Sequence, residues 1–429
     1  MNETVNTHKK MEELDKMSIP YEAIPPSEWK SNAYDSNNSV SLETLCIFYK
    51  CTRDLEKVIE EQEGDEKEVE EYIINLLSLI LTQKLHLIVY HDRWLYFFNG
   101  KYFEPCPSKK ELQCILRELC EAAAYLWKRF SVHDKTVKRL LSHVQQNAVK
   151  VDYPPDISKY VVFENGVLNL DTLELEDFTP QKFFTSMIHA DWLAENKACP
   201  EYEKVINTYT NHEAPLNKRI NEVLGVCLTN DMVKKLFCFL GVTNSGKTFL
   251  LSFLIRLFNN SATVTMQPND LGRQFAPSMV YGKSLCCCMD MDSAPLNTKA
   301  TAFLKGISGA DMLSAEFKGE NGSVPFQSRA HIINASNYDI TTKMPDAAFD
   351  MRKLVIPFKH RLTDNAEPFE VLMDKLEREK AAIVRKLILA YKALKDNHYE
   401  FSDSEEGESY DSYVPPTQSA AAPANLWTS

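Results

Sequence analysis

The sequence predicts an α/β protein in which a central, mostly parallel sheet carries a phosphate-binding loop, with a mixed α+β domain in front of it. Three observations lead there. An apolar run of strand length, Phe237–Leu240, runs into Gly241-Val-Thr-Asn-Ser-Gly-Lys-Thr248, and a helix-period apolar segment to Phe258 starts at once. Two more apolar strands follow, Lys283–Asp292 ending in acid and Ala330–Ala335 ending in Ser336-Asn337. Upstream, aromatic and polar residues alternate around Asn99-Gly100 and Asn165-Gly166, a strong hairpin signal.

The pattern from Gly241 to Thr248 carries chemistry for a stated reason. Glycines let successive backbone N–H groups of Val242, Thr243, Asn244, Ser245 and Gly246 turn inward around phosphate oxygens, and the helix N-terminus adds partial positive charge. Lys247 then reaches the β- and γ-phosphates of a nucleotide, and the Thr248 hydroxyl is a Mg²⁺ ligand. The expected cofactors are therefore ATP and Mg²⁺. On the strand Lys283–Asp292, Asp290 stands at the edge of the apolar run and Asp292 follows at period two. Both carboxylates can then reach one side, as candidate Mg²⁺-coordinating acids. Asn337, a polar amide at a strand end beside the loop, can orient attacking water or the γ-phosphate.

The 429 residues leave room for two or three domains. No apolar run approaches membrane-spanning length and no signal-peptide pattern opens the chain, so a soluble intracellular protein with no membrane partner is expected. The 11 cysteines lack the paired spacing of a zinc site or disulfide framework and are expected to be reduced core residues. The net charge of −12 hides an uneven distribution: Met232–Arg361 holds 15 Lys plus Arg against 9 Asp plus Glu. The acid lies in Asp54–Glu71 and in Glu400–Asp411, blocks that read as solvated or disordered.

In chain order, residues 1–71 form a flexible or partly helical segment with an acidic linker over Glu60–Glu68, and helical apolar spacing marks Val40–Ile59 and Val69–Leu85. Residues 72–195 are the α+β domain, with hairpins in Leu87–Phe103 and Tyr160–Ile188 and helices over Lys109–Phe130 and Asp134–Ala148. Their aromatic residues read as core, because the alternation already accounts for them. Residues 196–231 form a helical collar and residues 232–363 the phosphate-loop domain. Within the latter, Leu313–Gln327 reads as a hairpin tipped by Lys318, Gly319, Asn321 and Gly322, and a polar turn presents Arg352 before a last strand. Residues 364–397 are helical, and residues 398–429 form an acidic, disordered tail.

The ordered series of the phosphate loop, the acid-ended strand, Lys305-Gly-x-Ser-Gly-x-Asp311, Ala-Ser-Asn337, and Asp-x-Ala-x-x-x-Arg352 before Ile-Pro-Phe358 resembles superfamily III helicases. It is most similar to the helicase half of poxvirus-type and phage or plasmid-type primase-helicases. The stretch Phe163-Glu-Asn-Gly-Val-Leu-Asn-Leu170, with Trp94 and Phe98-Asn-Gly-Lys-Tyr-Phe103, is similar to the domain that precedes the ATPase in that family. The resemblance implies an AAA+-like ATPase acting as a hexameric ring on single-stranded DNA, with ATP between subunits, and a separate primase or polymerase as a further partner. It places Lys247 and Thr248 on phosphate and Mg²⁺, Asp290 at the Walker B acid and Asn337 as the polar sensor. Arg352 becomes the arginine finger for a neighbour's nucleotide, and Lys318 a channel-facing DNA contact, with Lys305 and Arg329 the next candidates. Which of Asp290 and Asp292 polarises the water stays open. Two other classes remain possible at this point: a small-molecule kinase, and a nucleotide-gated ring that scaffolds replication or packaging with little hydrolysis.

Overall fold

A computed structural model describes residues 55–83, 88–90, 94–105, 109–127, 131–151, 157–267, 270–291, 293–318, 322–363, 367–405 and 407–416. Most of the expected helix Val40–Ile59 lies outside them. The chain separates into two compact units, one made of residues 1–155 and 177–185, the other of residues 156–176 and 186–429.

The first unit contains α1 (Glu56–Glu60), α2 (Glu66–Gln83), β1 (Ile88–Tyr90), β2 (Trp94–Phe98), β3 (Phe103–Pro105), α3 (Lys109–Leu126), α4 (Asp134–Asn147) and β4 (Val149–Val151). The acidic linker ends in a capping box: Asp65 Oδ1 accepts the N–H groups of Lys67 and Glu68 at 2.9 Å, while Glu68 Oε2 accepts that of Asp65 at 3.1 Å. The helix that follows buries Val69, Ile73, Ile74, Leu77 and Leu81 at helical spacing in a cluster with Leu119, Trp127 and Leu140. The strands form one sheet ordered β3-β2-β1-β4, antiparallel except for the β1–β4 pair. Asn99-Gly100 turns β2 into β3 as expected: Gly100 has φ 95°, and Asn99 Oδ1 accepts from the N–H groups of Lys101 and Tyr102, each at 3.0 Å. Tyr96, Phe98 and Phe103 pack with Phe183, so these aromatics are core.

The second unit opens with a three-stranded antiparallel sheet, β5 (Tyr160–Phe163), β6 (Gly166–Asn169) and β7 (Leu175–Glu176). Phe163 pairs with Gly166, so the two-residue turn is Glu164-Asn165 and the glycine opens β6. Helices α5 (Pro200–Thr210) and α6 (Ala214–Cys227) lead to β8 (Leu236–Gly241), α7 (Lys247–Arg256), β9 (Thr263–Met266), α8 (Ala276–Val280), β10 (Leu285–Met291) and α9 (Thr298–Ser308). Then come the hairpin β11 (Met312–Glu316) and β12 (Ser323–Gln327), β13 (His331–Ser336), α10 (Ala347–Asp350), β14 (Lys353–Phe358) and α11 (Phe369–Asp396). Five strands form a parallel sheet ordered β14-β8-β13-β10-β9. Every residue of β8 and β13 is buried, the signature of strands covered on both faces. Cys286, Cys287 and Cys288 are free and buried within β10, as their apolar context predicts.

Three boundaries differ from the sequence expectation. Residues 196–231 and 364–397 are not separate from the phosphate-loop domain: one hydrophobic core runs from Val161 through Tyr202, Phe239 and Leu250 to Tyr391 and Tyr410. Helices α6 and α11 cross so closely at Gly225 that a Cβ there would lie 2.2 Å from the Leu387 carbonyl oxygen. Residues 156–176 join this unit too, ahead of the boundary expected near residue 195.

The tail is the larger correction. Within the expected disordered segment, residues 400–405 and 407–416 fold onto the domain, and Tyr410 is buried. Arg219, 1% exposed, donates from Nε to the Val355 carbonyl and from Nη1 to the Ser402 carbonyl, each at 2.9 Å, and pairs through Nη2 with Asp411. Asp411 Oδ1 also accepts the Val355 N–H at 2.8 Å. One arginine and one aspartate therefore satisfy both polar groups of Val355 on the outer side of edge strand β14, as a further strand would. Glu222, buried on α6, accepts the Ser402 N–H and hydroxyl, each at 2.8 Å. Two acids of this segment, Asp403 and Asp411, accept hydrogen bonds within the fold, which net charge cannot reveal. Arg219→Ala is expected to cost about 3 kcal/mol of stability, because the Val355 and Ser402 carbonyls lose their donor and a buried side chain is removed. Chemical denaturation of the full chain measures it, and an unchanged midpoint would remove the tail's structural role. Among the described residues no helix is long and apolar enough to cross a membrane.

Candidate nucleotide and nucleic-acid sites

Strand β8 is inside the sheet, flanked by β14 and β13, and its carboxyl end delivers the phosphate loop, the place where open α/β sheets hold ligands. Gly241 takes φ 153°, and a Cβ on it would lie 2.0 Å from the Phe358 carbonyl oxygen, which accepts the Val242 N–H at 3.1 Å. Asn244 (φ 57°) and Gly246 (φ 93°) are left-handed, and the Leu362 N–H ties β14's continuation to the Asn244 carbonyl at 2.7 Å. The backbone N–H groups of Asn244, Ser245 and Gly246 have no acceptor among the described residues. A loop with free N–H donors at a helix N-terminus is a cradle for phosphate.

Lys247, 7% exposed, holds its ammonium against the loop, donating to the carbonyls of Gly241 at 3.1 Å and Val242 at 2.6 Å and to Ser245 Oγ at 3.0 Å. Ser245 Oγ in turn donates to the Val242 carbonyl at 2.8 Å. Thr248, next on the helix, is exposed. Loop, lysine and threonine line a cavity of about 810 Å³.

Asn337 lines the same cavity. It gets there because β13 pairs in parallel with β8, Ser336 opposite Leu240, and because Ser336 Oγ accepts the Tyr338 N–H at 2.9 Å, ending the strand in a turn. Asp290 lies one strand further out, near the end of β10, where the pairing with β13 shifts: Met289 faces Ala335 and Met291 faces Ser336. Asp290 is thus the extra residue of a bulge. Asp292, the other candidate acid of this strand, lies outside the described residues.

The remaining candidates are elsewhere. Arg352 precedes β14 at the sheet's amino edge, its carbonyl accepting the Leu236 N–H at 2.7 Å. Strand β8 runs from Leu236 there to Gly241 at the loop, which puts Arg352 roughly 20 Å from the loop at strand rise. Its guanidinium is half-buried and has no partner among the described residues. Arg329 stands at the same edge, between β12 and β13. Lys318 is exposed at the hairpin tip, whose neighbour Phe317 is anchored edge-on against Tyr281 with centroids 5.7 Å apart. Gly319 and Asn321 lie outside the described residues. Lys305 is committed to an ion pair with Asp346 at 2.7 Å, and Asp346 caps α10 by accepting the Phe349 N–H at 3.0 Å. The Lys305 hydrogen bond holds the Asp346 carboxyl below its ordinary pKa.

The cavity also has a wall that motif reading missed. Val205 and Tyr209 of α5 and Phe369 and Leu372 of α11 line it too. In the sequence they are ordinary apolar positions of amphipathic helices, and nothing local distinguishes them.

Residues 78–211 match the D5 N-terminal-like domain, and residues 239–352 match DUF5906, a family of unknown function. Three solved structures share a distant likeness, all of the apo C-terminal region of NrS-1. Their identities are 15%, 13% and 12%, with TM-scores of 0.48, 0.49 and 0.48. The matches cover 76%, 77% and 76% of this chain and 75%, 76% and 74% of those chains. No curated protein matches the chain. The chain carries a D5 N-terminal-like segment followed by a DUF5906 segment, a pairing consistent with the phage and viral primase-helicase family.

Proposed function

We propose that this chain is an ATP-dependent DNA helicase of the AAA+-like, superfamily III type, working as a homo-oligomeric ring, a hexamer, on single-stranded DNA. One observation carries the reading: Lys247, Thr248 and Asn337 share one cavity, while Arg352 sits unpartnered at the opposite edge of the same sheet. A nucleotide-hydrolysing site needs positive charge on the transferred phosphate, and Arg352, at the end of β8 away from its own loop, would supply that charge to the nucleotide of another subunit.

The residues present fit ATP and Mg²⁺. Lys247 and the free N–H groups of Asn244–Gly246 would hold the phosphates, and Thr248 with Asp290 would hold the metal, which when bound neutralises phosphate charge. Asn337 orients the water or the γ-phosphate, and Arg352 of one subunit completes the site of the next. Heterologous contacts of this kind close into rings. Lys318 on its anchored hairpin supplies a cation to a phosphate backbone, and a separate primase or polymerase would complete the replication machinery.

Single-stranded DNA binding at several salt concentrations, with a non-hydrolysable ATP analogue present, tests the nucleic-acid half. The slope of log affinity against log salt is about −0.7 per neutralised phosphate. If several subunits each place Lys318 on the strand, Lys318→Ala flattens the slope by more than one contact's worth and abolishes unwinding while sparing basal hydrolysis. An unchanged slope moves the contact to Arg329, and absence of wild-type binding at low salt removes the helicase reading.

A further inference from the structure

We propose, resting on the nucleotide reading above, that Tyr209 is a further ligand-binding residue of this cavity, its hydroxyl donating a hydrogen bond to the triphosphate chain. Tyr209 stands at the end of α5, outside every motif, and lines the cavity with Lys247 and Thr248. The hydroxyl-bearing end of its ring lies on the loop: a Cβ on Gly246 would be 2.3 Å from Cε2 and 2.4 Å from Cζ. The ring is fixed from two other sides, by Phe249 of α7 with centroids 6.3 Å apart and by Phe358 of β14 at 6.5 Å. Such a clamped ring loses little freedom when it binds a ligand.

The ring is buried, the residue being 4% exposed, while its hydroxyl has no hydrogen-bond partner among the described residues and is not among their buried unpaired polar atoms, so it is open to the cavity. A hydroxyl open to a cavity finds its partner in what fills the cavity. Burial pushes the phenol well above its ordinary pKa, so it remains a donor through the physiological range. Its place beside Gly246, one residue before Lys247, puts that donor at the phosphate end of the site. Gly246 matters twice on this account, for its left-handed turn and because any side chain there would displace Tyr209.

The test is a titration of the full chain with a fluorescent ATP analogue, followed by displacement with inorganic tripolyphosphate, for wild type, Tyr209→Phe and Lys247→Ala. Tyr209→Phe keeps the ring and removes only the donor. The expected result is a melting temperature like wild type and a loss of affinity of about ten- to a hundredfold, the range of a hydrogen bond to a charged group. The loss should be the same for analogue and tripolyphosphate. Equal affinity of Tyr209→Phe and wild type overturns the proposal, as does a loss confined to the analogue, which would place the hydroxyl on the nucleoside. Failure of the nucleotide reading looks different: wild type does not bind, or Lys247→Ala binds as wild type does, and the proposal falls with it.

Discussion

Lys247→Ala should lose ATP turnover by at least about 10²- to 10³-fold, the effect of removing one preorganised cationic or hydrogen-bonding group from a charged transition state. The ammonium is buried against three acceptors of its own loop, so its removal also frees the carbonyls of Gly241 and Val242 and the Ser245 hydroxyl. These groups border a solvent-open cavity and can be rehydrated, so the fold should persist. Phosphate release measures turnover, and circular dichroism checks that the sheet remains. Turnover near the wild-type rate would mean that the loop from Gly241 to Thr248 does not bind the hydrolysed nucleotide.

Arg352→Ala should lose about 10³- to 10⁵-fold in rate while still binding nucleotide, the signature of an arginine supplied across an interface. Among the described residues the guanidinium makes no bond that would explain it. It is half-buried, without a partner among the described residues, and at the wrong end of β8 to reach its own loop. What holds the residue in place is its backbone, through the bond from the Leu236 N–H. The substitution should therefore spare the fold. Mixing Arg352→Ala with Lys247→Ala should restore part of the activity, because some interfaces then join an intact loop to an intact arginine. No recovery at any ratio, with subunit mixing confirmed, would confine Arg352 to a role in its own subunit.

The parts of this molecule that could be read from the chain are those set by short-range chemistry. Gly241 and Gly246 are needed for backbone conformations and approaches that a side chain would block, and the motif announces them. Asn99-Gly100 makes its hairpin with its own side chain, and Ser336 turns the chain at Asn337 within two residues. The parts that could not be read depend on partners far away in sequence. Arg219 and Asp411 are 192 residues apart, and Glu222 and Ser402 are 180 apart. Composition sees only an acidic block there, so a folded edge cover reads as a disordered tail. Tyr209 and Phe369 are likewise brought to one cavity by the packing of α5 and α11 on the sheet. The bulge at Asp290 was hidden for a related reason, since a register shift belongs to the pairing of β10 with β13 and not to either strand.

The rate of phosphate release by the full wild-type chain, with and without single-stranded DNA, tests the central claim most directly. A DNA-driven ring should hydrolyse ATP measurably alone and severalfold faster with DNA, and the acceleration should vanish in Arg352→Ala. A rate indifferent to DNA would point to a small-molecule kinase, and negligible hydrolysis in both conditions to a nucleotide-gated scaffold; either result contradicts the helicase.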